Sequence, residues 1–452
     1  MRGLRSVLAP PGVAMLLFAC APDVPDASAE AENDAINSDI EEAGDPAETV
    51  IDLGGASVEV FGAPAQIEER ALNSVIETHF NEPFNAQASY EGSDNFEEEI
   101  RSRIEAGTGP DVALYPQPGA VIEQAAAGNA VALEDLGFDI VELRATFGDY
   151  LVSLGEYEGK HYAIPTNVSL KSLVWYHLPT FDAQGYQEPA TWDELVGLSE
   201  QMVDDGYTPW CIGTGSGAAT GWPATDWLED IVLRSAGPDA YDRWVDGELA
   251  FDSPEITEAA ELMAQITHQE GFVSGGTGSI PDRDFRESVQ GLIGDDPDCL
   301  MHRQASFIVS YFPEEARIGE DVEVFSFPQV DGGDGALIAG ELSVAFADRD
   351  EVREFLRVFT GRDAQCAQGS FEEVARISPN IETSADCYQD PVVALSAETV
   401  LGALEEGTAR FDASDLMPSA VGSGSFWEGM NDWMRGADLP EVLSDIEQSW
   451  PR

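Results

Sequence analysis

The stretch of this 452-residue chain with the clearest capacity for ligand chemistry runs from Gly215 to Trp227. Trp222 stands there among glycine, alanine, threonine and proline residues, which offer a large indole ring few packing partners. Such a ring can stack on the apolar CH face of a ligand, and Asp226, four residues later, can accept hydrogen bonds from hydroxyl groups. The alternatives are that Trp222 packs in the core and that Asp226 is an acid favoured at a helix start by the helix dipole.

A second candidate for ligand contact, Gln117, follows a short apolar segment at 111–115 that is bounded by two prolines. This composition predicts a buried strand. Ligands of open α/β sheets bind outside the carboxyl ends of the strands, so Gln117 is placed to reach a ligand. The alternative is an ordinary turn residue.

The motifs of common catalytic sites are missing from the sequence. It contains no G-x-S-x-G, H-E-x-x-H or P-loop pattern, and its five histidines are scattered. With 85 acidic residues, pairs of carboxylates arise by chance and do not indicate a glycosidase. We therefore do not expect an enzyme, and we expect no metal or other cofactor. A secreted glycoside-active enzyme and an acidic surface or adhesion lipoprotein are the alternatives.

Alternating strands and helices must position these candidates. Apolar periodicity predicts strands at 58–61, 86–90 and 111–115 and helices at 65–80, 96–104 and 120–127. This alternation is typical of an α/β fold with a mainly parallel sheet. Later segments predict strands at 172–176, 305–309, 322–327 and 342–346, helices at 191–203, 224–234 and 254–267, and a largely helical C-terminal region. The length suits two lobes or domains.

The charge of the chain is strongly negative. It has 85 acidic and 22 basic residues, a formal net charge of −63, and Lys160 and Lys171 are its only lysines. Such a surface repels nucleic acid and anionic lipid headgroups. It resembles proteins that work in strong salt, where the Debye length falls to about 3 Å at 1 M. We predict a halophilic or salt-tolerant source; the alternative is simple solubility.

The N-terminus predicts a lipid anchor. Arg2 and Arg5 precede an apolar run at 7–18, which is too short to span a bilayer as a helix of about 20 residues, and Leu17-Phe18-Ala19-Cys20 follows. This pattern resembles the bacterial lipobox, so residues 1–19 are expected to be a signal peptide and Cys20 to be lipidated. Residues 20–51 form an acidic segment that is expected to be a disordered tether. The protein is then expected on the outer face of the cell membrane; the alternative is an ordinary secretory signal.

Four further cysteines predict two disulfides in an exported protein. Three pairings are possible. Cys366 and Cys387 are 21 residues apart and suit a local loop, which leaves Cys211 to pair with Cys299. A metal site is disfavoured because the sequence has no CxxC pair and no histidine at ligand spacing from these cysteines.

Four regions together resemble a known family. They are GPDVAL at 109–114, KSLVWY with PATWDEL at 171–176 and 189–195, GSGAATGWPATDW at 215–227, and SDLMP with GSFW at 414–418 and 424–427. The chain resembles the extracellular solute-binding proteins of carbohydrate ABC transporters, especially the α-glucoside-type branch, over about residues 55–450.

The resemblance implies a two-lobed periplasmic-binding-protein-like α/β fold with crossover hinge strands and a ligand cleft. It assigns 52–165 with 306–365 to the first lobe and 166–305 with 366–452 to the second. It implies a monomer that captures a carbohydrate, such as a glucoside or oligosaccharide, and delivers it to permease subunits. A polyol or glycerophosphodiester is an alternative ligand. The net charge argues against an anion, although Lys171 or Arg303 could form a local basic pocket.

The resemblance also implies further ligand contacts. Asn167 precedes the crossover, Tyr311 lies where family members often place a stacking aromatic, and Glu341 lies where they often have a Gly-acid pair. Phe426 and Trp427 lie in a Gly/Ser-rich segment expected to be a loop. For these two residues, packing is as reasonable an expectation as ligand contact.

The acidic composition leads to a prediction about salt. The melting temperature should rise steeply from low to molar NaCl, because counter-ions screen the repulsion between carboxylates. Thermal unfolding followed by circular dichroism across a NaCl series measures this. A flat curve would show that the acids serve only solubility.

Overall fold

The computed structural model describes residues 51–371 and 374–451, and every structural statement below refers to them. The signal peptide, Cys20 and nearly all of the tether lie outside the described residues. The elements alternate along the first half of the chain as the periodicity predicts. In the described part, no helix combines the length and the apolar character needed to cross a membrane.

The strands are β1 (Ser57–Gly62), β2 (Gln87–Gly92), β3 (Val112–Tyr115), β4 (Glu156–Tyr157), β5 (Lys160–His161), β6 (Ala163–Leu170), β7 (Leu173–His177), β8 (Met301–Arg303), β9 (Val322–Ser326), β10 (Ala336–Ala345) and β11 (Ala409–Phe411). The helices are α1 (Ile67–Ile76), α2 (Glu82–Phe84), α3 (Phe96–Glu105), α4 (Pro118–Ala126), α5 (Ile140–Phe147), α6 (Asp149–Ser153), α7 (Leu178–Gln184), α8 (Trp192–Asp204), α9 (Trp222–Ser235), α10 (Pro238–Val245), α11 (Pro254–Thr267), α12 (Phe285–Ser288), α13 (Asp350–Phe359), α14 (Arg362–Gly369), α15 (Pro391–Glu406), α16 (Ala413–Leu416), α17 (Trp427–Met434) and α18 (Leu439–Gln448).

The larger sheet is mixed. Strand β1 pairs in parallel with β2 and β3, as the βαβα pattern predicts. The sheet continues from β3 to β10, which is antiparallel to β3 and to β6 and parallel to β11. The predicted parallel pairing therefore holds for the N-terminal strands β1, β2 and β3. The long strand β10 runs antiparallel to β3, because the chain enters it on its return from a second sheet.

The second sheet has three antiparallel strands in the order β8-β7-β9. Only two residues separate β6 from β7, so the chain passes from one sheet to the other over a very short distance. The segment between β9 and β10 leads back. The lobe boundaries stay a prediction, but because β9 pairs with β7, we favour placing 322–326 with the second lobe rather than the first.

Local signals explain most helix starts, and one confirmed example is α8. The Thr191 side chain accepts from the Glu194 backbone N–H, and the Glu194 carboxylate accepts from the Thr191 N–H, which completes a capping box. The expected strand at 305–309 is wrong: Ser306–Tyr311 is a 3-10 helix. A short apolar run does not by itself distinguish a strand from a buried helical turn.

The Gly/Ser-rich segment near the C-terminus is also helical, not a loop. Ala420–Phe426 forms a π-helical stretch that runs directly into α17. A Cβ at Gly422 would lie 1.8 Å from the Ser414 carbonyl oxygen, so glycine lets this stretch pack against α16.

Both predicted disulfides are confirmed. Cys211 pairs with Cys299 across 88 residues, and Cys366 pairs with Cys387 across 21. The first bond joins the segment after α8 to the start of β8. The second closes a loop from α14 that contains Arg376, a residue of the site described next.

Candidate ligand site

A cavity of about 210 Å³ lies at the carboxyl ends of the three parallel strands of the larger sheet. Residues after β1, β2 and β3 line it, as do residues of β6 and β10. Further lining residues come from α1, α3, α9, α12, the 306–311 helix, α16 and α17. The position agrees with the rule that ligands of such sheets bind beyond the strand ends.

Six of the eight predicted ligand residues line this cavity: Gln117, Asn167, Trp222, Tyr311, Glu341 and Trp427. Residues spread over more than 300 positions of sequence are thus brought together around one space. Asp226 and Phe426 do not line it. The contact of the six with a ligand stays a prediction.

Trp222 belongs to an aromatic wall. It is the first residue of α9 and half-buried, with ring centroids 4.9 Å from Phe285 and 5.9 Å from Phe307. Tyr311 continues the wall at 5.6 Å from Phe285. The Nζ atom of Lys171 lies 4.9 Å from the centre of the Trp222 ring. Trp222 therefore has more packing partners than its small neighbours in sequence suggest, and it still borders the cavity.

The two aromatic residues near the C-terminus differ in role. The Trp427 indole N–H donates to Ser414 Oγ at 3.1 Å, and the ring borders the cavity. Phe426 is fully buried, with its ring 5.0 Å from Phe251 and 5.5 Å from Trp244. Because it faces the hydrophobic core, direct contact between Phe426 and a ligand is not supported.

Asp226 lies beneath the cavity in a buried ion-pair network. Its carboxylate accepts from Lys171 Nζ at 2.6 Å and from Arg303 at 3.0 Å, and it has no exposed surface. Burial raises its pKa to about 6, against the opposing effect of Lys171 and Arg303. The expected hydrogen bond from a ligand to Asp226 is therefore not supported. Instead, Asp226 has a structural role, because it holds Lys171 beside Trp222.

The network includes two further acids. Lys171 also bonds Asp412, and Arg303 bonds Asp230 at 2.9 Å. Asp226, Asp412 and a further buried acid, Glu229, have the mutual spacing of metal ligands. The Lys171 ammonium already lies between Asp226 and Asp412, so it supplies the cation there. Neither Lys171 nor Arg303 is free to form a basic pocket, contrary to that expectation.

A second ion-pair cluster borders the cavity on the side of the larger sheet. Buried Arg376 donates to Glu341 at 2.6 Å and to Glu68 at 3.4 Å. Burial raises the pKa of Glu68 to about 7; Arg376 opposes this shift and Glu341 adds to it. Glu68 and Arg376 were not among the predicted residues. Glu68 lies in an ordinary helical pattern and Arg376 lies in a loop, so nothing in the sequence indicates that their side chains form an ion pair.

Close backbone packing sets the positions of Glu341 and Asn167. These residues are opposite each other in the β10–β6 ladder, and the register shifts directly after Glu341. A Cβ at Gly340 would lie 2.1 Å from the Asn167 carbonyl oxygen, so only glycine allows this approach. The Asn167 side chain accepts from the Ile377 N–H at 3.0 Å, which ties it to the Arg376 segment.

Gln117 lies just beyond the end of β3 and lines the cavity, and its contact with a ligand stays a prediction. It precedes Pro118, the first residue of α4, and its Nε2 atom donates to Glu97 Oε1 at 3.2 Å. Its backbone is extended, and its side chain turns toward α3 rather than capping α4. The site thus combines an aromatic wall with several amide and carboxylate groups, an arrangement suited to hydroxyl-rich ligands.

Comparison with known proteins agrees with this architecture. Residues 65–365 match the family described as bacterial extracellular solute-binding protein. The chain is 38% identical over 411 residues to the alpha-glucosides-binding periplasmic protein AglE of Rhizobium meliloti (strain 1021), covering 88% of each protein. It is 37% identical over 380 residues to the osmoprotective compounds-binding protein GgtB of Synechocystis sp. (strain ATCC 27184 / PCC 6803 / Kazusa), covering 82% of this chain and 87% of that one.

A solved structure shows the same fold. The crystal structure of the bacterial solute receptor AcbH, described as having an exclusive preference for β-D-galactopyranose, superposes with a TM-score of 0.72. The match covers 88% of this chain and 97% of AcbH at 16% sequence identity. This similarity shows a two-lobed solute-binding fold.

The raised pKa of Glu68 predicts a pH-dependent stability. Between about pH 4.5 and 7 the folded protein binds more protons at this site than the unfolded chain, so this group's contribution to the free energy of unfolding falls as pH rises. Glu68→Gln should remove that contribution. Denaturant unfolding at several pH values should show wild type losing stability relative to the variant as pH rises toward 7. Glu98→Gln, which changes an exposed acid, is the control. The prediction would be contradicted if the difference in the free energy of unfolding between wild type and Glu68→Gln did not vary with pH.

Proposed function

We propose that this chain, which belongs to the family of bacterial extracellular solute-binding proteins, captures a carbohydrate of the α-glucoside class and delivers it unchanged to a membrane permease of an ABC importer. The observation that carries the proposal is the cavity at the strand ends, which Trp222 lines together with amide and carboxylate acceptors. The relation to AglE over nearly the whole chain supports the ligand class.

The chemistry of the cavity suits a sugar. A pyranose ring offers an apolar face for an indole and a rim of hydroxyl groups that donate hydrogen bonds. Gln117, Asn167 and Glu341 supply oxygen acceptors, and each is more than nine-tenths buried, so hydrogen bonds to them are shielded from bulk water. The aromatic wall beside them excludes water from the apolar face.

A second ligand class is an osmoprotective compound. The relation to GgtB is nearly as strong as that to AglE, and the net charge of −63 supports the prediction of a salt-tolerant source. The same cavity can serve either class, because both can present hydroxyl groups to the same acceptors. Calorimetry with a panel of α-glucosides, disaccharides and polyols distinguishes the two.

Capture requires movement between two lobes. We propose that the short β6–β7 connection and the β9–β10 segment are the crossover strands of a hinge, and that the two lobes close on the ligand. The ligand then favours the closed state only through contacts to both sides. Small-angle scattering should show compaction on ligand addition, and sedimentation should give a monomer.

We further propose that the mature protein is attached to the outer face of the cell membrane through a lipid on Cys20. The lipobox-like residues and the acidic segment after them support this, and they lie outside the described part. Cys20→Ala should release the protein from the membrane fraction or leave its signal uncleaved. A cleaved, unlipidated variant that stays on the membrane would contradict the anchor.

Trp222→Ala tests the ligand platform. The variant should lose the stacking surface and bind the ligand about 5- to 150-fold more weakly, equivalent to about 1–3 kcal/mol for a desolvated aromatic anchor. Calorimetry measures the affinity, and the melting temperature without ligand reports on the fold. Trp450→Ala, a half-buried tryptophan outside the cavity, is the matched control.

Wild-type affinity in a folded Trp222→Ala variant would show that this tryptophan only packs. Failure of every glucoside, disaccharide, oligosaccharide and polyol to bind wild type would contradict the proposed function itself.

A further inference from the structure

Asp415 is a buried residue whose carboxylate has no partner among the described residues. It lies in α16, is 6% exposed and lines the cavity. Its backbone N–H donates to Asp412 at 3.0 Å, but within the described residues its carboxylate makes no hydrogen bond and no ion pair. This carboxylate borders the cavity without a protein donor, so it is open to a donor group supplied by a ligand.

Glu97 is a second carboxylate without a cation in the same cavity. It is the second residue of α3, and Oε1 accepts from Gln117 at 3.2 Å. Among the described residues, no lysine or arginine lies within ion-pair distance of it. Glu97 and Asp415 line the same cavity, and the charge of Glu97 is one of the causes that raise the pKa of Asp415.

The cations that line the cavity are already paired. Lys171 bonds Asp226 and Asp412, and Arg286 bonds Asp94 at 3.0 Å and Asp284 at 2.7 Å. Five carboxylates line the same space: Glu68, Asp94, Glu97, Glu341 and Asp415. An anionic ligand would therefore find no unpaired cation there and several negative charges.

We propose that Glu97 and Asp415 act together as a carboxylate pair that selects ligands by charge, receiving an ammonium group on a hydroxylated ligand and rejecting a carboxylate or phosphate. The pair prefers an amino-substituted glucoside to the neutral glucoside, and the neutral glucoside to its uronic acid. This inference rests on the proposed function and names the charge class that the site accepts. It argues against a glycerophosphodiester as ligand.

The surroundings of the pair predict a release of protons on binding. Burial raises the pKa of Asp415 well above its ordinary value, and burial also raises the pKa of Glu97. An ammonium group placed between them favours their ionised forms, so protons leave as it binds. The charged groups that act on Asp415 are Lys171, Asp226, Glu229, Asp412 and Glu97, and Arg101 acts on Glu97.

The experiment compares three forms of one α-glucoside by titration calorimetry at constant NaCl. They are the neutral parent, a set of its mono-amino-deoxy derivatives at different ring positions, and its 6-carboxylate. With wild type, at least one amino derivative should bind about tenfold more tightly than the parent, and the carboxylate at least tenfold more weakly. Titrations in buffers of different ionisation enthalpy should show proton release with the amino derivative and not with the parent.

The variants Glu97→Gln and Asp415→Asn should each reduce the amino preference about tenfold and relax the rejection of the carboxylate. Glu98→Gln makes the same charge change one residue away on an exposed position of α3 and should leave both ratios unchanged. Melting temperatures confirm that the variants fold. Glu97 is less deeply buried than Asp415, so Glu97→Gln should still fold if Asp415→Asn is unstable. The comparison of Glu97→Gln with wild type then decides the test.

Binding of the parent with no tighter amino derivative and no proton release would overturn the charge selection while leaving the proposed function standing. The charge selection would also be overturned if wild type, Glu97→Gln and Glu98→Gln had the same affinities for the amino derivative and the carboxylate relative to the parent. If neither the parent nor any neutral sugar or polyol binds wild type, the proposed function fails, and this inference fails with it.

Discussion

The ion-pair network around Lys171 is the interaction on which the arrangement of this protein depends. Lys171 lies where the chain leaves β6 and enters β7, and it joins Asp226 of α9 to Asp412 ahead of α16. Removing these charges from water is costly, and only the complete set of partners offsets that cost. Glu229 adds to the same junction by accepting from the Ala413 and Ser414 backbone N–H groups. The crossover, α9 and α16 are thereby fixed in one geometry.

This network also decides the character of the ligand site above it. Because Asp226, Asp230 and Asp412 already hold the buried cations, the cavity presents aromatic rings, amides and carboxylates rather than a positive surface. Of the few basic residues of this chain, Lys171, Arg234 and Arg303 are held in buried ion pairs with these acids. The character of the cavity surface is thus set partly by acids that do not line it.

The sequence correctly predicts the features that depend on local pattern. The predictions fail where residues that are distant in sequence contact each other. Motif stretches identify the family correctly, strand ends place Gln117, and the capping box defines α8. Asp226 has the same local signature whether it meets a ligand or Lys171, because its partner is 55 residues away. Phe426 is flanked by small residues that suggest a loop, yet Gly422 packs against α16 and turns the segment into a helix. Only the tertiary packing distinguishes these outcomes.

The loop closed by Cys366 and Cys387 has a consequence for the ligand site. It carries Arg376, the buried cation that holds Glu68 and Glu341 at the cavity edge. Without the covalent bond the loop has far more conformations available, and the arginine is no longer confined beside its carboxylates. The oxidation state of these two thiols therefore bears on the completeness of the site, because reduction removes a covalent constraint on the segment that carries Arg376.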